Sequence, residues 1–186
     1  MCFVVKNLWV AGKARVRGRI IMKIIMGSVV KGYAVKTAIK EHLEKQGHEI
    51  IDVGCYQTDK FVKFPAIGQR VAEALQQGKA KLAINCCGSG TGASLSAGKF
   101  KDVCAVSCES VQTAKLARIV NDANCLCLGE SVVTSELGCC MADAFIAAKF
   151  QDMDGVPRNV LDFWREARDE LMARGEEAAP RDIETM

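Results

Sequence analysis

The sequence predicts a three-layer α/β fold: a mostly parallel, five-stranded sheet with helices on both faces, Rossmann-like or flavodoxin-like. Three observations carry this. Short apolar runs that read as buried strands recur along the chain. Amphipathic stretches with helical spacing separate them. One strand runs directly into a glycine-rich turn that opens a helix.

The elements follow in order. Lys23–Met26 reads as a buried strand, and Lys36–Gln46 as a helix with Val35, Ile39 and Leu43 on one face, stopped at Gly47. Glu49–Val53 is a second strand and Ile67–Gln77 a second helix, ended by Gly78. Lys81–Asn85 is a third strand, entering Cys87-Gly88-Ser89-Gly90-Thr91-Gly92, with a short helix through Ala97. Val103–Ser107 and Cys125–Leu128 are the fourth and fifth strands, with a helix over Ser110–Ile119 between them. Ser135–Ala148 is a long helix with Ser135 as its N-cap. Val160–Met172 is a last amphipathic helix, with Leu161, Trp164, Ala167 and Leu171 expected to face inward.

The 186 residues suit one domain over 22–173, with 174–186 a charged tail. Residues 1–21 read as an extension, disordered or non-native, because Met22 opens the first strand. Without the five cations of that stretch the formal charge of +3 becomes −2, so the basic balance gives no argument for nucleic acid. Aromatic content of 6% argues against a base-stacking surface, and no apolar run is long enough to span a bilayer. The ten cysteines sit mostly in apolar runs, where free thiols behave as small hydrophobes. No Cys-x-x-Cys occurs and there are two histidines, His42 and His48, so no metal site is expected. A reducing compartment, the cytoplasm, follows.

In parallel sheets ligands bind at the carboxyl ends of strands, which directs attention to the glycine turn. Its alternate glycines let backbone N–H groups approach an anion. It lacks the lysine of a P-loop and the spacing of a dinucleotide fingerprint. A tight turn with no ligand is an equally good reading of the pattern alone. Cys87 adds chemistry, because a thiol just before a helix N-terminus has its thiolate stabilised and faces donors suited to an oxyanion. That arrangement serves proton abstraction beside a carbonyl or nucleophilic acyl transfer. Acyl transfer needs a general acid, and neither histidine lies in a strand-end loop, which favours enolisation. Cys86 is expected on the opposite face of the strand, in the core.

The run Ile84-Asn85-Cys86-Cys87-Gly88-Ser89-Gly90-Thr91-Gly92 is similar to the Cys-Gly-Thr/Ser-Gly-x-Gly signature of the type B ribose-5-phosphate isomerase and galactose-6-phosphate isomerase family. Met22-Lys23-Ile24-Ile25-Met26-Gly27 resembles that family's first strand, and Phe64-Pro65 its Tyr-Pro. Asn121-Asp122-Ala123-Asn124 with Leu128-Gly129-Glu130 resembles its Asn-Asp-x-Asn…Gly segment. The likeness covers about residues 22–170.

The resemblance implies an aldose–ketose isomerase working through an enediolate with no metal or organic cofactor. Cys87 would move the proton and Ser89 would assist. The N–H groups of Gly88, Gly90 and Gly92 would hold the enediolate, and Asn121 would bind sugar hydroxyls. It also implies a homodimer or tetramer, with a heteromer possible, each site built from two subunits. The chain departs from the family at Val29 and Val30, where Asp-His is usual, and at Val120, usually His. It departs again at Ser131, usually Arg, at Lys63, usually acidic, and at Arg158, left from an arginine pair. Lys31, Lys63, Arg118 and Arg158 are the candidate anion contacts. The substrate is then a sugar phosphate, or an unphosphorylated sugar or keto-uronate. A non-catalytic subunit or binding relative and a thiol-dependent hydrolase stay as rivals.

Overall fold

The computed structural model describes residues 15–16 and 19–177, with side chains from 21 to 173. Of the expected extension, β1 (Arg15–Val16) and β2 (Arg19–Ile20) fall within the described residues and pair only with each other, antiparallel. Residues 1–14 and the tail beyond 177 lie outside them.

The main sheet contains β3 (Lys23–Ser28), β4 (Glu49–Asp52), β5 (Leu82–Cys87), β6 (Ala105–Ser107) and β7 (Cys125–Gly129). All pairings are parallel, in the order β4-β3-β5-β7-β6. The outer pair is exchanged relative to a flavodoxin-like sheet, because the chain runs from β5 to the edge at β6 and returns to place β7 between them. A reversal at β3 and β5 opens a crevice at their carboxyl ends. The helices are α1 (Tyr33–Lys45), α2 (Phe64–Gln76), α3 (Thr91–Ala97), α4 (Val111–Asn121), α5 (Ser135–Ala147) and α6 (Arg158–Glu177).

Strand alternation divides the core in two. Ile24, Met26, Ile84, Cys86, Leu126 and Leu128 point to a layer formed by α1, α4 and α5, where Ile39, Ala117 and Phe145 meet them. Ile25, Ala83, Cys87, Cys125 and Cys127 point the other way, against Ile67 and Val71 of α2 and Ala93 of α3. The small side chains on this second face let the short α3 lie close to the sheet.

Capping explains several boundaries. Ser110 and Thr113 form a capping box at α4. At α5 the N-cap is Thr134 rather than Ser135, its hydroxyl accepting from the Leu137 N–H. Helices α1 and α2 start earlier than their apolar spacing implies, and Pro65 suits the first turn of α2. The last helix differs most from expectation. Leu161 and Trp164 are half-buried, but Ala167 and Leu171 are exposed. α6 is held instead by polar contacts: Arg168 Nη1 on Asp122 Oδ2 at 2.9 Å and Arg165 Nη2 on Gln151 Oε1 at 3.2 Å.

Candidate active site

The carboxyl end of β5 delivers Cys87, which is 6% exposed, to the floor of the crevice. Its Sγ accepts a hydrogen bond from the Gly90 N–H at 3.0 Å. Gly90 has φ +83°, a left-handed conformation that glycine adopts without strain, and this folds the turn back over the sulfur. Ser89 and Thr91 present hydroxyls 2.6 Å apart at the exposed side of the turn.

Two neighbouring loops approach the turn with backbone, at Gly129 and Gly32. A Cβ on Gly129, at the end of β7, would lie 2.4 Å from the Ser89 carbonyl carbon. One on Gly32 would lie 2.6 Å from the Cys86 carbonyl carbon. The β3–α1 loop is further tied down by the Val29 N–H donating to the Cys86 carbonyl at 3.2 Å.

Lys31 sits above the turn, its Cγ 3.3 Å from where a Gly88 Cβ would be, and its Nζ lies 3.2 Å from Glu130 Oε1. Glu130 Oε2 accepts the Ala34 N–H at the start of α1. Lys63 is exposed at the N-cap of α2, and the ring of the adjacent Phe64 lies 3.4 Å from a Gly92 Cβ position. Cys87, Ser89, the three turn glycines, Lys31 and Lys63 are thus at one end of the sheet.

Cys86, one residue away, is fully buried in the other layer. Burial, and then the nearby Cys87, push its thiol above the ordinary value. Cys127 is also raised, by its contact with Cys125 and by burial. The nine described cysteines are free, and Cys140 is exposed rather than core.

Arg118, Asn121 and Arg158 are not at this end. Helix α4 runs back from the carboxyl end of β6 to the start of β7, so its last turn lies at the amino ends of the strands. There Arg118 donates to Asp122 Oδ1 at 2.7 Å and to the Ala123 carbonyl at 2.8 Å. Asn124 joins two loops, accepting from the Cys104 N–H and donating to the Asp102 carbonyl. Asp122 and Asn124 therefore have structural work, and Asn121 is left exposed. Arg158 is exposed and pairs with Asp162 on its own helix. The histidines lie at this end as well and are half-buried: His42 bonds Asp143 and His48 accepts the Met22 N–H. A concavity of about 1090 Å³ also opens here, between Met22, His48, Arg118, Asp122 and Arg168, far from Cys87.

One buried group escaped the sequence reading. Lys36 of α1 is 2% exposed, and its Nζ donates to both oxygens of Asp52 at 2.9 and 2.8 Å and to the Cys55 carbonyl at 2.7 Å. The rings of Tyr33 and Tyr56 flank it at 5.4 and 5.8 Å. It fixes the start of the loop joining β4 to α2, which carries Lys63.

The thiol and the glycine cradle thus meet at the switch point of a parallel sheet, where α/β enzymes hold their ligands. The chain belongs to the ribose/galactose isomerase family, which matches residues 24–160. It is 34% identical over 131 residues to the 4-deoxy-4-sulfo-D-erythrose isomerase of Clostridium sp. (strain MSTE9), covering 70% of this chain and 82% of that one. It is 35% identical over 129 residues to ribose-5-phosphate isomerase B of Escherichia coli (strain K12), covering 69% and 86%. Ribose-5-phosphate isomerase B of Clostridium thermocellum superposes with a TM-score of 0.77 at 32% identity, over 85% of this chain and all of that one. No helix among the described residues is long and apolar enough to cross a membrane.

Proposed function

We propose that this chain interconverts an aldose and a ketose that carry an anionic group, by cofactor-free proton transfer through an enediolate, with Cys87 as the base. The observation that carries this is the Cys87 sulfur at the switch-point crevice, cradled by the glycine turn and bonded by the Gly90 N–H. The thiolate takes the proton from C2 of the aldose and returns it to C1, while the hydroxyl proton passes from O2 to O1. The turn N–H groups of Gly88 and Gly92 stabilise the charge developing on oxygen, the Gly90 N–H stays on the Cys87 sulfur, and Ser89 helps carry the hydroxyl proton. Lys31 and Lys63 receive the anion. One relative is named for a sulfonated tetrose and another for a phosphorylated pentose, and a tetrahedral anion is common to both.

Asn121, Arg118 and Arg158 reach such a site only from a second copy docked by its amino-end face. On this reading the working form is a homodimer or tetramer in which such a copy completes the site; a heteromer with a related chain uses the same geometry. The free cysteines suit the cytoplasm.

Solvent deuterium exchange tests the reading. Purified protein in D2O should place deuterium on the carbon beside the carbonyl of a sugar phosphate, a free sugar or a keto-uronate. Cys87→Ala should abolish this and Cys86→Ala should not. Equal loss in both variants would reject Cys87 as the base. Absence of exchange across the panel would favour a binding relative or an incomplete heteromer.

A further inference from the structure

Enolisation needs a free carbonyl. A pentose or hexose aldose phosphate is held mostly as a ring, and opening the ring takes a proton from the anomeric hydroxyl and gives one to the ring oxygen. An enzyme that speeds this step supplies a paired acid and base.

The mouth around Cys87 is poor in such groups. From β3 it receives Val29, packed in the same layer as Cys87, and then Val30. Glu130 has both oxygens engaged, Oε1 beside Lys31 Nζ at 3.2 Å and Oε2 on the Ala34 N–H at 3.0 Å. Asp52 is held through both oxygens by Lys36. His42 and His48 are at the far end of the sheet, on Asp143 and the Met22 N–H. Beside Asn121, the residue a second copy would bring, stands Val120. Asp59 and Glu109, exposed in the loops after β4 and β6, make no hydrogen bond to the turn among the described residues. Against the turn itself stand a base for a C–H proton, the hydroxyls of Ser89 and Thr91, and Lys31 and Lys63.

We infer that the substrate is a sugar that cannot close a furanose ring: a four-carbon aldose or ketose whose C4 bears a phosphate or sulfonate in place of a free hydroxyl. With O4 esterified, or replaced by a carbon–sulfur bond, no hydroxyl remains to attack C1, so aldose and ketose both arrive open. A five-carbon aldose 5-phosphate keeps its O4 hydroxyl and closes. This rests on the isomerase reading above and narrows its substrate class.

The test follows deuterium incorporation by the full chain with erythrose 4-phosphate, erythrulose 4-phosphate, 4-deoxy-4-sulfo-erythrose, ribose 5-phosphate and ribulose 5-phosphate. The last is an open-chain five-carbon ketose and separates ring opening from chain length. The tetroses should exchange quickly, and the faster of the phosphate and sulfonate arms identifies the anion. Ribose 5-phosphate should be slower by about 100-fold or more, the usual contribution of acid–base assistance. Ribose 5-phosphate turned over as fast as the tetroses overturns the inference and leaves the isomerase reading standing. Exchange with ribulose 5-phosphate but with no tetrose overturns the four-carbon assignment. Failure of every open-chain sugar to exchange overturns the isomerase reading for this chain acting on its own.

Discussion

Replacing Lys36 with methionine removes one ammonium and keeps most of the volume. The Asp52 carboxylate, 17% exposed, then loses its closest cation. Breaking a buried ion pair from one side costs about 3–5 kcal/mol, because the surviving charge is left in a poor solvent. Here the lower end applies. Asp52 keeps the Gly54 N–H at 3.1 Å and has Lys40 at 3.9 Å, so its charge is not left without compensation. The expected loss is about 3 kcal/mol. With a urea slope of about 2 kcal/mol per molar, the midpoint should fall by about 1.5 M with the slope unchanged. The double variant Lys36→Met, Asp52→Leu removes both charges and should regain at least about 1 kcal/mol over the single one. A single-variant loss below about 1 kcal/mol, or a double variant no more stable than Lys36→Met, would refute the view that this pair holds the loop.

Three further outcomes are expected. Cys86 is raised above its ordinary value of 9.0, so above that pH the unfolded chain binds fewer protons than the folded one. The stabilising contribution is complete below pH 9 and is lost as pH rises; Cys86→Ala should flatten the alkaline fall in unfolding free energy by about 1.4 kcal/mol per pH unit. Gly129→Ala places a methyl against the Ser89 backbone and should displace the turn, costing about 1–3 kcal/mol in denaturation and most of the exchange activity; full activity with unchanged stability would show that the turn yields freely. Asp122→Ala removes the shared partner of Arg118 and Arg168 and should cost about 2 kcal/mol, with faster amide hydrogen exchange along α6 while β5 stays protected.

The sheet was legible because its signal is local. Apolar runs at Ile24–Met26 and Leu126–Leu128 read as strands, and a period of two placed Cys86 and Cys87 on opposite faces. Ser110 was legible as the start of α4 for the same reason. Lys36 was not, since a lysine in an amphipathic helix reads as solvated and its partner Asp52 is sixteen positions on, in another strand. The apolar period of α6 says which residues share a side, but not whether anything in the same chain covers them; Leu171 is 53% exposed. The placing of Arg118 and Asn121 had a usable signal. They end the helix that leads into β7, and a helix joining parallel strands must end where the next strand begins.

Gly32 and Gly129 bring main chain directly against the glycine turn, while Lys31, Ser107 and Phe64 meet it with side chains. The main-chain contacts hold the thiol only while those two positions lack a Cβ, whereas the side chains beside them are under no such constraint. Val29, Val30, Lys31 and Ser131 border this centre from two loops. On the proposed reading, substitution there would change which sugar is accepted one residue at a time and leave the proton-transfer centre in place.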